Sequence, residues 1–326
     1  MRIFVTGASG FVGGRLTKQW AQEYEIWALS RSDASATKVE TLGAKAIRGD
    51  LKTVVIEDMA GCDAVVHCAA FARPWGAREE FFDSNVMGTK HLLEIAEAAG
   101  VKHFIFISTE SVLFVGQSLV DVDETTPYPS KYNNHYGESK AVAEKLVLEA
   151  NKPGFRTIAL RASWVWGPGD TNALPMIIDF IEQGKFMWMD HGNAHKSTTH
   201  VDNLIYAIGL TLKSDQGGEV YFINDGPKIS LKSFITQAVA TRGMTVPDKN
   251  FPGAIARPLA TVIEGSWKFL GRTDKPPMTI LEVGFFTAET TFSIAKAQRE
   301  LGYSPIVERD EGLAQLANGG QDANKK

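Results

Sequence analysis

The segment that most constrains this chain is a glycine-rich stretch near its start. An apolar run at residues 3–6 predicts a strand, and the sequence TGASGFVG follows it at residues 6–13. The G-x-x-G-x-x-G spacing permits a tight turn, a close approach of the backbone to a pyrophosphate, and close packing of the next helix on the strand. A pyrophosphate binds well at a helix N-terminus, so the stretch predicts a dinucleotide site. Its expected contact residues are Gly7, Ser9, Gly10, Phe11, Val12 and Gly13.

The remainder of the first half alternates short β-branched runs with longer helical patterns. The predicted strands are residues 3–6, 26–30, 44–48, 64–67, 104–108 and 157–161, and the predicted helices are residues 11–22, 86–99 and 136–150. This alternation is typical of an α/β fold in which helices cover both faces of a parallel sheet. We therefore predict a Rossmann-type, doubly wound parallel sheet.

A second, smaller domain is indicated after residue 161, where the pattern becomes less regular and richer in Pro, Trp and Met. The predicted domains are a cofactor-binding Rossmann domain of residues 1–167 and 197–225, and a discontinuous α+β substrate domain of residues 168–196 and 226–317. Residues 199–203 and 220–223 are expected to return to the sheet. The polar, Gly-containing tail at residues 318–326 is predicted to be disordered.

Composition argues against several classes of partner. The 326 residues include 34 basic and 38 acidic ones, a formal charge of −4, and neither sign forms a long block. Neither a nucleic-acid surface nor a polybasic membrane anchor is therefore indicated. No run approaches the roughly 18 apolar residues of a spanning helix, and no signal peptide precedes the first strand, so we predict a cytoplasmic protein without a membrane span. A small molecule is the expected partner.

Metal ligands do not form a recognisable pattern. Cys62 and Cys68 are too few for a disulfide framework and lack the companion ligands of a zinc site. His191, His195 and His200 are irregularly spaced and have no carboxylate partners in sequence. We expect no metal in this protein.

Two later segments fall where a bound dinucleotide would extend along the sheet edge. Asp50 and Leu51 follow the third predicted strand, where the carboxylate can accept a hydrogen bond from an adenine amino group. Ala69 and Ala70 follow the fourth, where small side chains let a cofactor lie against the strand ends, in the crevice where open α/β sheets bind ligands. We predict that all four residues contact the cofactor.

The end of the second predicted strand favours NADP over NAD. The position that would carry an acidic residue for a ribose 2′-hydroxyl is Ser30, and Arg31 follows it. A serine with a neighbouring guanidinium can bind a 2′-phosphate by charge-assisted hydrogen bonds. Asp33 nearby leaves open that Arg31 is an ordinary surface charge after the strand, and NAD remains the alternative cofactor.

A tyrosine and a lysine in the sequence YGESK are candidates for proton chemistry. Tyr136 and Lys140 are four residues apart, so they lie on the same face of a predicted helix. A free phenol has a pKa of about 10, and a neighbouring ammonium lowers it by stabilising the phenolate. Tyr136 could then act as general acid in ketone reduction or as general base in alcohol oxidation.

Hydroxyl groups follow the fifth predicted strand, at the same edge of the sheet. Ser108 and Thr109 end that strand, and Ser111 comes two residues later. A hydroxyl at this edge can hold a substrate oxygen beside the tyrosine. The residue pattern leaves the choice between Ser108 and Thr109 open, with Ser111 as a third candidate.

These motifs together resemble the extended short-chain dehydrogenases/reductases, the superfamily of NAD-dependent epimerases and dehydratases. TGASGFVG, GDL, HCAA, NVMGT, FISTES, YGESK and the pair Leu160-Arg161 occur in the family's order and spacing over nearly the whole chain. The resemblance implies a catalytic trio of Thr109, Tyr136 and Lys140, with the last two also touching the cofactor, and places Asn85 near the cofactor. The family more often has Ser at the position of Thr109. It also implies a homodimer packed through helices 86–99 and 136–150.

The later part of the chain is most similar to the 3β-hydroxysteroid dehydrogenase-like branch of that superfamily. The matching pieces are RASWVWGPGD at residues 161–170, HVDN at 200–203, FSIAKA at 292–297 and LGY at 301–303. Trp164 and Trp166 stand where sugar-nucleotide epimerases tend to have an Asn and a partly basic pocket. The resemblance implies a hydrophobic substrate, either steroid-like or an alkyl β-keto or β-hydroxy compound.

Three functions remain open on the sequence alone. The first is an NADP-dependent oxidoreductase that interconverts a secondary alcohol and a ketone. A nucleotide-sugar epimerase or dehydratase is the second, and a non-enzymatic NADP-sensing protein is the third. The presence of Thr109, Tyr136 and Lys140 together argues against the sensor, which has no need of a tyrosine prepared for proton transfer.

Overall fold

The computed structural model describes residues 1–171, 173–272 and 274–323, with side chains up to residue 318. In chain order the strands are β1 Arg2–Thr6, β2 Glu25–Ser30, β3 Lys45–Arg48, β4 Ala64–His67, β5 His103–Thr109, β6 Leu119–Val122, β7 Arg156–Ala162, β8 Trp164–Trp166, β9 Trp188–Met189, β10 His195–Lys196, β11 Thr198–His200, β12 Glu219–Ile223, β13 Ile229–Ser230, β14 Asn250–Phe251 and β15 Thr290–Phe292.

The α-helices are α1 Phe11–Trp20, α2 Asp33–Thr41, α3 Arg78–Phe81, α4 Gly88–Ala98, α5 His135–Glu149, α6 Ala173–Glu182, α7 Val201–Lys213, α8 Leu231–Ala240, α9 Gly253–Phe269, α10 Ile280–Thr287, α11 Ala295–Leu301 and α12 Arg309–Ala323. Single 3-10 turns cover Ile56–Met59, Glu110–Val112 and Asp190–Gly192, and a π-helical segment covers Phe82–Met87. Among these described residues, no helix is both long and apolar enough to cross a bilayer.

The main sheet is parallel and has the strand order β12-β7-β5-β4-β1-β2-β3. The chain runs outward from β1 through β2 and β3, then crosses to the other side of β1 to form β4. The carboxyl ends of β1 and β4 therefore border a crevice of the kind in which doubly wound sheets bind ligands. The predicted fold class is confirmed.

Both faces of this sheet are buried, because side chains alternate in direction along each strand. Val5 points to the face covered by α1 and α7, where it joins a cluster with Leu16 and Leu204. Phe4 points to the opposite face and packs in a second cluster with Leu92 of α4. Helices α1 and α5 are thereby fixed on opposite sides of the same strand ends.

The smaller part of the molecule is built around a four-stranded sheet of order β13-β10-β15-β6. Helices α6, α8 and α12 and strand β8 form an apolar cluster beside it. Two contacts cross the boundary between the two predicted domains. Strand β6 pairs with β15, and Tyr303, which follows α11, is buried in the same apolar cluster as Val5 and Leu16. The domain boundaries themselves stay a prediction.

One local expectation was wrong. Residues 220–223 do join the main sheet within β12, but Thr199 and His200 pair with β8 in a separate two-stranded sheet. The chain then enters α7 at Val201, because His200 caps the helix and accepts a hydrogen bond from the backbone N–H of Asp202. In the segment predicted to be disordered, α12 continues to Ala323, and residues 324–326 lie outside the described part.

A buried ion pair attaches helix α5 to the sheet. Glu144 lies on α5, and its carboxylate accepts hydrogen bonds from Arg161 of β7 at 2.7 Å, from the Tyr128 hydroxyl at 2.6 Å and from the Ser108 hydroxyl. The Arg161 and Glu144 side chains are 2% and 0% exposed. This pair fixes the position of α5 relative to the ends of β5 and β7.

We predict that Glu144→Ala lowers the free energy of unfolding by about 3–5 kcal/mol, because it leaves the Arg161 guanidinium buried without its counter-charge. Urea denaturation of the purified variant measures the loss. The control is Glu94→Ala, which removes an exposed carboxylate 4.0 Å from Lys90, with an expected change within about 0.5 kcal/mol. Equal losses in both variants would contradict a stabilising role for the buried pair.

Candidate active site

The glycine turn after β1 leaves space that any side chain would fill. Gly7 has a φ of 70°, and a Cβ atom there would lie 2.7 Å from the backbone N of Ala69. A Cβ atom on Gly13 would lie 2.4 Å from the Gly7 carbonyl oxygen. Helix α1 begins at Phe11 without a side-chain cap, so its first N–H groups can donate to an anion. The turn fits the pyrophosphate of a dinucleotide.

The end of β2 carries one buried hydroxyl and one exposed positive charge. Ser30 is buried and donates to the Ala28 carbonyl at 3.2 Å, whereas Arg31 is exposed. Asp33, the acidic residue near Arg31 in sequence, is paired with Arg48 at 2.7 Å. The negative charge nearest to Arg31 in sequence is therefore already offset.

A further basic residue at this edge was missed on the sequence. Lys38 lies on α2, and its ammonium donates to the carbonyl of Ser9 in the glycine turn at 2.7 Å. No motif singles out a lysine at this distance from the turn. The contact brings a second positive charge to the region between β1 and β2.

Asp50 closes the turn that follows β3. Its carboxylate accepts from the backbone N–H groups of Lys52 and Thr53 at 2.9 and 3.1 Å, and these bonds lower its pKa. Leu51 packs against Gly88 at the start of α4. The cofactor contacts predicted for Asp50 and Leu51 stay predictions, but both residues shape the rim at the end of β3.

Asn85 holds the loop after β4 in place. Its amide exchanges two hydrogen bonds with the backbone of Phe71, at 2.7 and 3.1 Å, and donates to the Ser139 hydroxyl of α5 at 3.0 Å. The backbone N–H of Ala69 is held from the other side by the Thr6 hydroxyl at 3.2 Å. The loop that carries Ala69 and Ala70 is thus fixed between β1 and α5.

Helix α5 presents Tyr136 and Lys140 to the same edge. Asn134 caps the helix and accepts from the Gly137 N–H at 2.6 Å. The Lys140 ammonium donates to the Ile107 carbonyl of β5 at 2.7 Å and lies 3.8 Å from the centre of the Phe106 ring. Tyr136 and Thr109 line the same cavity, and the Thr109 hydroxyl acts to lower the pKa of the phenol. The structure therefore brings the three predicted catalytic residues together.

The net effect of the protein's own groups is to raise the pKa of Tyr136, although the Thr109 hydroxyl lowers it, and this differs from the sequence expectation. Burial and the nearby Glu110 carboxyl raise the pKa of the phenol. Burial also lowers the pKa of Lys140 to about 7, so at neutral pH its ammonium is only partly charged. Any lowering of the phenol pKa depends on a stronger positive charge at the site.

The three hydroxyls after β5 have different surroundings. Ser108 donates to Glu144 and belongs to the buried ion-pair network. Thr109 caps the following 3-10 turn, with its Oγ1 3.2 Å from both the Ser111 N–H and the Ser111 hydroxyl. Since the Ser108 hydroxyl is engaged by Glu144, Thr109 has the better placed hydroxyl beside Tyr136.

One cavity of about 510 Å³ connects these parts. Its size is typical of a small-molecule site. Its lining includes both the glycine turn with Ala70 and a group of apolar and aromatic side chains. The predicted site residues that line it are Gly7, Gly10, Phe11, Val12, Gly13, Ala70, Thr109, Tyr136 and Lys140. The apolar wall consists of Phe114, Trp164, Val165, Met176, Leu281, Phe285 and Phe286.

Not every residue singled out on the sequence reaches this cavity. Ser30, Arg31, Asp50 and Leu51 lie at the ends of β2 and β3, and Ser9, Ala69 and Asn85 lie behind the lining. Trp166 is wholly buried and donates from its indole N–H to Asp225 at 2.8 Å, so only Trp164 of the two faces the cavity.

Four charged residues in the lining were missed altogether, namely Arg73, Glu110, Lys196 and Glu282. Glu110 follows Thr109 directly, and Lys196 comes from β10 in the smaller sheet. Lys196 is 1% exposed, and its ammonium donates to the Ala288 carbonyl at 2.7 Å. The histidines considered for metal binding lie elsewhere, and the described residues contain no group of three or more His, Cys, Asp or Glu side chains placed to hold a metal.

Comparison with known proteins identifies the family. A model of the 3-beta hydroxysteroid dehydrogenase/isomerase family matches residues 4–252. A 4-hydroxy-2-methyl-3-oxo-4-farnesyl-3,4-dihydroquinoline-1-oxide ketoreductase from Stigmatella aurantiaca is 39% identical over 98% of this chain and 97% of its own length. A 2-alkyl-3-oxoalkanoate reductase from Shewanella oneidensis is 30% identical over 96% of this chain and 84% of its own.

A solved structure supports the same fold. The UDP-glucuronic acid 4-epimerase from Bacillus cereus, in complex with UDP-glucuronic acid and NAD, superposes with a TM-score of 0.76 over 99% of this chain and 100% of its own, at 22% identity. At that identity the likeness concerns the fold. Together with the family match and the relatives, it shows that this chain belongs to the 3-beta hydroxysteroid dehydrogenase/isomerase family of extended short-chain dehydrogenases/reductases and is an NAD(P)-dependent oxidoreductase.

Proposed function

We propose that the protein interconverts a secondary alcohol and a ketone on a hydrophobic molecule, with NADP(H) as its cofactor. One observation carries the proposal: a single cavity joins the glycine turn, the trio of Thr109, Tyr136 and Lys140, and an apolar wall. Hydride transfer needs the cofactor, the proton donor and the substrate carbon in one enclosure. The cavity provides that enclosure.

The roles of the trio follow from its contacts. Thr109 holds the substrate oxygen, since its hydroxyl faces the cavity beside Tyr136. Tyr136 gives a proton to that oxygen during ketone reduction and takes one during alcohol oxidation. Lys140 donates to a ribose hydroxyl and, when charged, stabilises the phenolate. The bound cofactor supplies or accepts the hydride.

The apolar wall favours a steroid-like or alkyl β-keto or β-hydroxy substrate. Trp164 packs edge to face with Phe285, with 5.1 Å between the ring centres, and Phe285 packs in the same way with Phe286, with 5.4 Å between the ring centres. Two relatives, a ketoreductase of a farnesylated dihydroquinoline oxide and a 2-alkyl-3-oxoalkanoate reductase, are consistent with this substrate class. The nucleotide-sugar alternative has support only from structures that share the fold.

We also propose a homodimer through α4 and α5, which pack side by side on one face of the sheet. Its test is the molar mass in solution. The cytoplasmic location stays a prediction from the sequence.

The first prediction concerns Tyr136. Tyr136→Phe should bind NADP(H) nearly as the wild type does and lower turnover about 10²- to 10⁴-fold, because the lost hydroxyl transfers the proton while the ring keeps its packing. Steady-state kinetics and a cofactor titration measure the two effects. The matched control is Tyr132→Phe, which removes a hydroxyl that donates to the Val112 carbonyl. Near-normal turnover of Tyr136→Phe would remove Tyr136 from the mechanism.

The second prediction concerns the substrate class. With NADP present, steroid or long-chain alkyl ketones should raise the melting temperature and be reduced when NADPH is supplied. UDP and dTDP should have no effect, because the apolar wall has little to offer a diphosphate. A large shift with UDP, or turnover of a UDP-sugar without net cofactor consumption, would favour the epimerase.

The third prediction concerns the cofactor. We expect the wild type to prefer NADPH by roughly 1.5–3 kcal/mol, about ten- to a hundredfold, from charge-assisted bonds of Arg31 to the 2′-phosphate. Arg31→Ala should weaken use of NADPH far more than of NADH, and Ser30→Asp with Arg31→Ala should reverse the preference. Lys45→Ala, at the start of β3 over the Trp27 ring, is the control. A wild type that favours NADH would overturn the NADP assignment.

A further inference from the structure

An acidic side chain lies next to the trio without an assigned task. Glu110 begins the 3-10 turn after β5, and its side chain lines the same cavity as Thr109 and Tyr136. Its Oε2 lies 3.2 Å from the Oγ1 of Thr109, within hydrogen-bonding distance. An acid in this place bears directly on the hydroxyl proposed to hold the substrate oxygen.

Groups from two other elements face Glu110. Lys196 of β10 lowers the pKa of the carboxyl, but burial has the larger effect and raises that pKa to about 7. Tyr136 of α5 is the other neighbour, and the Glu110 charge raises its pKa. Lys196 is influenced in turn by Glu289. In the described part of the chain the Lys196 ammonium donates to the Ala288 carbonyl and influences Glu110 through its charge, so a change in the protonation of Glu110 breaks no hydrogen bond between the two.

Because the Thr109 hydroxyl has a single proton, the protonation state of Glu110 determines which acceptor receives that proton. A hydroxyl has one proton to donate, and an ionised carboxylate can only accept. When Glu110 is ionised, Thr109 directs its proton to Glu110 and has none for a ketone oxygen. When Glu110 is protonated, it can donate to Thr109, which is then free to donate to the ketone oxygen. The Ser111 N–H already donates to the Thr109 oxygen, which leaves that oxygen fewer directions for other hydrogen bonds.

We propose that Glu110 is a positioning residue that acts through Thr109, its carboxyl setting the direction of the Thr109 hydroxyl proton and thereby making ketone reduction depend on pH. The proposal rests on the proposed use of Thr109 to hold the substrate oxygen. It adds a fourth side chain to the site and gives it a task distinct from proton transfer to substrate.

The test is the pH dependence of kcat/KM for ketone reduction. The wild type should lose activity with rising pH, approaching tenfold per pH unit above an apparent pKa near 7. Glu110→Gln should stay within about tenfold of the wild type at pH 6 and lose this alkaline limb, because the Gln amide donates to Thr109 at every pH. Glu124→Gln is the matched control, since Glu124 is also half-buried with a raised pKa but lies outside the cavity.

A second variant, Lys196→Met, should shift the alkaline part of the pH profile instead of removing it. Lys196→Met takes away the charge that lowers the pKa of Glu110, so the alkaline limb should shift to higher pH. Burial lowers the pKa of both Lys140 and Lys196 to about 7, and titration of either lysine would produce a loss of activity with rising pH that persists in Glu110→Gln. An unchanged limb in Glu110→Gln, or none of the expected shift in Lys196→Met, would overturn the proposal.

An infrared titration of the carboxyl band separates this proposal from the proposed function. A protonated carboxyl signal that disappears near pH 7 and is missing in Glu110→Gln would support the assignment without any substrate. A wild type that reduces no ketone at any pH would refute the proposed function. The lack of such a band would refute the role of Glu110 even in an active enzyme.

Discussion

The buried pair of Glu144 and Arg161 is the constraint on which the site depends. Glu144 lies on the same helix as Tyr136 and Lys140, eight residues after the first and four after the second, so the bond that holds Glu144 to β7 also fixes the height and rotation of both. The same carboxylate engages the Ser108 hydroxyl, so of the two hydroxyls that end β5 only that of Thr109 is not bound to Glu144. A single desolvated carboxylate therefore both positions Tyr136 and occupies one of the neighbouring hydroxyls.

Burial also determines how the cavity responds to charge. Tyr136, Lys140, Glu110 and Lys196 all have pKa values displaced toward their neutral forms by the removal of water. A site of this kind interacts strongly with any charge that enters it, because little solvent screens the interaction. The positive nicotinamide of an oxidised cofactor would favour the phenolate form of Tyr136, which the protein's own groups disfavour. Proton chemistry at this site is thus coupled to the redox state of the cofactor.

Local patterns predicted the fold well because they depend on neighbours in sequence. The glycine turn, the strands of the main sheet and the spacing of Tyr136 and Lys140 are all short-range features. Residues 199–200 were misplaced because short polar strands pair by tertiary context. Lys196 and Lys38 were missed because the fold, rather than a motif, brings them to the site. Glu110 lies next to a predicted residue, but its significance depends on the enclosure formed by distant segments.

The uncapped start of α1 links ligand binding to the integrity of the fold. No serine or aspartate side chain caps the first turn of this helix. The glycines of the turn, where a side chain would clash, also have the greatest backbone freedom in the unfolded chain, and that freedom is lost on folding. A dinucleotide phosphate bound there would supply the missing cap, and because a ligand that binds the native state alone stabilises it, the folded population would rise with ligand concentration. The abundance of such a protein in a cell would then follow the size of its cofactor pool as well as its rate of synthesis.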